Sequence, residues 1–380
     1  MVRAELLLLV LLAVGTARPV WGQSDEPADG SPEIDAADEA KLLQLGGPGF
    51  RLRRTEHFAI AYDTPDETLR ALISRLEATY NSVYRFCKIN TIEAERPTTR
   101  LQVLFFDDYD VYGRYAASAR FDHRGSAGFY NQRNNVASFA NVLNLPELSG
   151  LNRKIEQSEA RIERLKAARP VNRRALKSET KELTRLVNER DRIVERTNRL
   201  AVQHETAHQV LFNAGVHVFG AQNPGWLVEG MATLFETPPS SSGAGMGATN
   251  QMRLEDFRRC LGAGEPSGRI RPEDLEVAFA SGKFLRLHEL VGDARLFSRR
   301  DDPNLVHYYS EAWSLVCYLQ RQKREQFAEY LRLLSRRKPG EPTTPRRELA
   351  DFEGVFGLLD ERFERRWAAF VLGLRFKPPG

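Results

Sequence analysis

Residues 199–213 read RLAVQHETAHQVLFN, and this stretch limits the fold more than any other. Val202, Val210, Leu211 and Phe212 make it apolar within a chain that is 28% charged and 42% hydrophobic. A helix with those flanks belongs inside the protein, yet it carries His204, Glu205 and His208. Residues four apart share a helix face, so His204 and His208 can present ring nitrogens to one ion. Glu205 lies about 100° round the helix and can reach a metal-bound water without ligating the metal. Buried imidazoles and carboxylates need partners, and a zinc ion satisfies them.

A catalytic zinc needs a third protein ligand and one open position. Two residues are candidates. His217 follows His208 by nine positions, but the pattern using a third histidine six residues on needs Gly at 211 and His at 214, where the chain has Leu211 and Ala214. Glu229 is the alternative: in NPGWLVEGMATLFE, Pro224 and Gly225 break the chain and Trp226 to Glu236 reads as a new helix, apolar apart from its acids.

HETAHQVL paired with PGWLVEGMA resembles the gluzincin metallopeptidases, specifically the peptidase-MA-like families whose second motif is W-L-x-E-G-x-A. The order strand EHFAIAYD, helix, strand LQVLFF, strand near NNVASFA is also similar to theirs, over about residues 50–145 and 200–375. The resemblance implies a zincin-like fold, one catalytic Zn2+ held by His204, His208 and Glu229, and a peptide or protein substrate. It implies Glu205 as the base that takes the water proton. It also implies a Tyr or His donor for the developing oxyanion, for which LVHYYSEAW offers Tyr308, Tyr309 or His307. The strand Val136 to Phe139 is expected, on the same ground, to hold an extended peptide by strand addition. An acid one helical turn past the third ligand often orients a zinc histidine; here Thr233 stands there, with Glu236 farther on. No Gly-x-Met-x-Asn run of the aminopeptidase kind occurs, which favours an endopeptidase.

The rest of the chain reads as an α+β protein: a small mixed sheet and active-site helices, a helical C-terminal part and an inserted antiparallel helical hairpin. Residues 1–22 have a weak positive start at Arg3, an apolar run from Leu6 to Val14, and small residues Val20 and Gly22 before a cleavage point, the pattern of a signal peptide. Export to the cell envelope or beyond follows, with no stable membrane insertion after cleavage. Residues 23–49 are expected to be a disordered lead-in, with order beginning near Phe50. The N-terminal α/β part spans 50–148, where Thr64-Pro65-Asp66-Glu67 is expected to cap a helix.

Residues 149–200 are dense in Arg, Glu, Lys and Asn, with apolar residues at 3-4 spacing on either side of Pro170. This is the hairpin, a coiled-coil insertion expected to pack on little besides itself, with a protein partner as its functional alternative to a solvated arm. Its second arm runs without a breaker into His204. The zinc-binding helices take 201–240 and the helical C-terminal part 241–380.

The formal net charge of +4 is small and the charges are interspersed, so no nucleic-acid groove is expected. The three cysteines, Cys87, Cys260 and Cys317, are too widely spaced for a cysteine metal motif and read as buried thiols, with one disulfide as the alternative. Two other functions compete with a peptidase. One is a scaffold or binding protein with a zincin core, disfavoured because a structural site gains nothing from Glu205; the other is a non-peptidase hydrolase using the same zinc.

Overall fold

The computed structural model describes residues 36–237, 248–262, 274–299 and 301–375. The expected signal segment, the first part of the expected lead-in and most of the Gly/Ser-rich stretch after Thr237 lie outside the described residues.

Five strands form one mixed sheet: β1 Arg51–Arg54, β2 Phe58–Tyr62, β3 Leu101–Phe106, β4 Gly128–Asn131 and β5 Val136–Ala140. Their order is β1-β2-β3-β5-β4; β2, β3 and β5 are parallel, and β1 and β4 pair antiparallel at the two edges. Alternation along β2 divides the core in two. Phe58, Ile60 and Tyr62 join the large cluster that also holds Val210, Leu211 and Trp226. Ala59 and Ala61 face the other way, into a smaller cluster with Leu104, Phe106 and Leu42.

Leu42 belongs to α1, Ala36–Gly46, and is fully buried, so the lead-in is ordered from residue 36 rather than from about Phe50. Its acidic start hides a Leu-rich end that covers the small alanines of the sheet. Strand β1 was not legible: RLRR has no apolar alternation, and its charged residues suit an edge strand that must not recruit another. The helix α2 runs Asp66–Ile89. Pro65 takes its cap position and the Thr64 hydroxyl is buried without a partner among the described residues, so the expected threonine cap does not form. A short helix α3, Tyr109–Ser118, starts from Asp108, whose carboxylate accepts from the Asp110 and Val111 amides.

The hairpin is α4, Ser149–Ala167, against α5, Arg173–Asn198. Ile155, Ile162 and Leu186 are buried in its seam, whereas Arg161, Glu182 and Arg185 form ion pairs on its surface. It packs on more than itself: Leu151, Ile193 and Val194 lie on the smaller core, and Arg75 of α2 pairs with Glu195. The second arm continues through one π-helical turn, Arg199–Gln203, into α6, His204–Asn213. Such turns hold an extra residue and are frequent beside functional sites. Gln203 secures this one by donating to the carbonyls of Phe235 and Thr237 at 2.6 and 2.9 Å.

The remaining helices are α7 Gly225–Thr233, α8 Gln251–Cys260, α9 Leu275–Ala280, α10 Leu287–Gly292, α11 Leu305–Gln322, α12 Arg324–Leu334, α13 Pro345–Phe356 and α14 Glu361–Gly373. One apparent C-terminal helix is two, because the chain turns at Lys323. Among the described residues no helix is long and apolar enough to cross a membrane. The expectation that Val136 to Phe139 receives a peptide is corrected by the topology. Those residues are β5, already paired with β3 on one side and β4 on the other, so the free edge on that side is β4.

Candidate metal centre

Two short helices set the centre. On α6, His204 and His208 sit one turn apart and are both completely buried. On α7, Glu229 is 2% exposed and points back at them. Close packing fixes that return: a Cβ on Gly230 would lie 2.6 Å from the Ala312 carbonyl oxygen, so α7 presses its backbone against α11 at the residue after Glu229.

His204 Nε2 lies 2.9 Å from His208 Nε2 and 3.1 Å from Glu229 Oε2, and His208 Nε2 lies 3.3 Å from the same oxygen. The in-plane point equidistant from the three atoms is about 1.8 Å from each, so a cation about 1 Å out of that plane would sit at the 2.0–2.2 Å at which imidazole nitrogens and carboxylate oxygens bind zinc. Hydrogen bonding alone does not account for such a triangle, because one proton cannot lie between all three pairs. The donor set therefore fits a divalent cation, and His204, His208 and Glu229 are a possible metal site. Electrostatics agree. Burial would raise the Glu229 carboxyl, but His208 and His204 hold it down at about 2. Burial works against a charged His204, yet its bonds to Glu229 and Glu236 raise it to about 10, a proton taking the place of the cation.

Behind His204 stands Glu236. The chain leaves α7 after Thr233 and brings Glu236 Oε1 to 2.9 Å from His204 Nδ1. Arg253 donates to both Glu236 oxygens at 3.0 and 2.8 Å, and Asn250 Nδ2 donates at 3.1 Å. Burial would raise Glu236; Arg253 and His204 outweigh it and keep the group at about 2, hence ionised. A carboxylate on Nδ1–H leaves the Nε2 lone pair directed at the cation. Thr233, the other candidate for this role, spends its hydroxyl on the Gly230 carbonyl of its own helix. His208 is not supported in this way: its Nδ1 is buried without a partner among the described residues.

Glu205 is buried on the same helix, and its Oε2 accepts from the Tyr130 amide of β4 at 2.9 Å. Its Oε1 is buried with no partner among the described residues, an orphan that water or substrate would satisfy. Burial raises this carboxyl to about 8, opposed by the charge of His204. Tyr309 on α11 is buried with its ring 6.2 Å from that of His204, between Phe297 and the Arg253 guanidinium. Tyr308 faces elsewhere, its hydroxyl 3.5 Å from the Gly282 carbonyl, and His307 bonds to Asp256. Of His307, Tyr308 and Tyr309, Tyr309 is the one whose ring stands beside His204. His217 stays outside the cluster, packed on Phe212, and burial pushes it down to about 3.

A cleft of about 1050 Å³, bordered by Val228, Phe212, Gln132, Leu285 and Phe297, reaches the group at Glu229. Residues 198–341 match the family model DUF1570, described as a protein of unknown function. That segment starts at the π-helical turn and takes in both ligand-bearing helices, Glu236, Arg253 and Tyr309; it leaves the sheet and most of the hairpin outside. No curated protein and no solved structure matches the chain. The DUF1570 domain carries no assigned activity, so the gluzincin resemblance rests on the motif residues themselves.

The Glu236–Arg253–Asn250 support was only half legible. Glu236 is flagged by its distance past Glu229, but nothing in the sequence singles out Asn250 or joins Arg253 to Glu236.

Proposed function

We propose that the chain is an exported zinc-dependent metallopeptidase of the gluzincin type, on a zincin-like fold, with His204, His208 and Glu229 as the zinc ligands. The observation that carries this reading is the triangle of two Nε2 atoms and one carboxylate oxygen, with the buried Glu205 next to it and a cleft that touches Glu229. A zinc-only structural site has no use for a buried acid that is not a ligand.

When bound, zinc would act as a Lewis acid, lowering the pKa of water and polarising the scissile carbonyl. Glu205 takes the proton of the attacking water, as its O–H bond breaks and the new C–O bond forms. The same carboxyl then gives that proton to the leaving amine as the C–N bond breaks, so one water is consumed per peptide bond. Tyr309 is the donor for the charge that builds on the carbonyl oxygen. Glu236, held by Arg253, keeps His204 in one tautomer throughout. An extended substrate fits against the free edge of β4, whose Tyr130 amide already holds Glu205 in place.

The test is Glu205→Gln in the full chain, scored for bound zinc and for cleavage of a peptide library. The expected outcome is unchanged zinc and lost cleavage. A variant as active as the wild type contradicts the mechanism, and zinc binding without cleavage by the wild type returns the scaffold reading.

A further inference from the structure

The helix that supplies Arg253 carries two more metal-competent groups on its following turns. Asp256 and Cys260 are four apart on α8 and so share a face, and His307 comes from the first turn of α11, which packs across it. One donor atom from each of the three lies within 4.8 Å of the other two. His307 Nδ1 is 3.0 and 3.1 Å from the two Asp256 oxygens. Cys260 is buried and Asp256 nearly so, while the His307 side chain is 21% exposed, so the group sits at the edge of the core.

We propose that Asp256, Cys260 and His307 form a second divalent-cation site of the zinc class, with three protein ligands and the fourth position left to water. Thiolate, imidazole and carboxylate are the three donor types zinc takes from proteins, and the thiolate excludes the harder cations that prefer all-oxygen sites. One thiolate and one carboxylate also balance a dication in a place where net charge is costly. Arg259 reaches Asp256 at 3.6 Å but its side chain is 60% exposed and is free to withdraw into solvent. The nucleophilic-cysteine alternative is weak: burial, reinforced by Asp256, pushes the Cys260 thiol up to about 12. Coordination removes that proton, so cation uptake at this site releases one. A similar grouping of Glu56, His57 and Glu77 has no sulfur, and the Glu56 side chain is 79% exposed.

The position gives the site its purpose. A cation there would tie α8 to α11, and both serve the first centre: α8 through Arg253 on Glu236, α11 through Tyr309 beside His204. Loading the second site would hold those two supports in register.

Cobalt substitution tests this without relying on activity. The His204 centre contains no sulfur, so a near-ultraviolet thiolate-to-cobalt band reports the second site alone. We expect metal-stripped full-length protein to take up about two equivalents of Co2+ with that band, and Cys260→Ser to take up about one without it. His307→Gln, an independent variant, should also lose most of the band, whereas Glu229→Ala should lose the first cation and keep it. A wild type that binds Co2+ without the band overturns the proposal, as does a band that survives Cys260→Ser, since Cys87 or Cys317 would then be its source. Because the Glu229 and Cys260 variants separate the two sites, failure here leaves the peptidase reading untouched.

Discussion

Glu236→Gln is the sharpest perturbation of the metal centre that leaves all three proposed ligands in place. The carboxylate takes four hydrogen bonds, one from His204, two from Arg253 and one from Asn250, all in a fully buried setting. An amide of the same shape keeps one acceptor oxygen and turns an NH2 group toward donors it cannot satisfy. It also strips Arg253 of its counter-charge. Losing a partner that orients a metal histidine lowers affinity about 10- to 100-fold, which is about 1.4–2.7 kcal/mol. Leaving a buried guanidinium without its carboxylate costs about 3–5 kcal/mol of folding stability where the pair is fully buried. Competition with a chromogenic chelator measures the first quantity, and denaturant unfolding of the metal-free protein the second. The account expects both to fall, and Thr233→Val, whose hydroxyl serves only its own helix, to change zinc affinity little. Wild-type zinc affinity in Glu236→Gln would refute the claim that Glu236 sets the state of His204.

Gly230→Ala should destabilise the protein by about 1–3 kcal/mol in denaturant unfolding, as overpacked cores do. The new Cβ meets the Ala312 carbonyl at 2.6 Å and Val316 Cγ2 at 2.7 Å, and an unchanged midpoint would mean that α7 and α11 are not held as tightly as described. Tyr309→Phe should cut kcat about 100-fold with little change in KM, the effect of losing one oxyanion donor, while Tyr308→Phe should not. Steady-state kinetics on one cleaved peptide decides between them; equal effects would remove Tyr309 from the mechanism.

The buried grouping of His204, His208 and Glu229 was readable because each part of it obeys a local rule. His204 and His208 are one turn apart on a helix too apolar to face water, and Glu229 is an acid in a second helix of the same kind. Four of the five strands were readable for a similar reason, as periodicity follows burial. What failed was non-local or disguised. Strand β1 shows no alternation because it is a charged edge, and α1 hides behind an acidic start although Leu42 is as buried as any residue in the protein. Strand order cannot be read from the strands themselves, so strand addition was expected at β5, which is an interior strand. The choice between Tyr308 and Tyr309 depends on the rotation of α11 about its axis, which its packing on α7 and α8 decides. Arg253 is a cation inside the core, and only the fold brings Glu236 to it.

Crystallographic anomalous scattering at the zinc edge on the Cys260→Ser protein, which retains the first centre alone, tests the central claim most directly. The account predicts one strong peak about 2.0–2.2 Å from His204 Nε2, His208 Nε2 and a Glu229 oxygen, with the Glu205 carboxylate outside bonding distance. A zinc-loaded crystal with no peak among those three residues, or with Glu205 as a direct ligand, would contradict it.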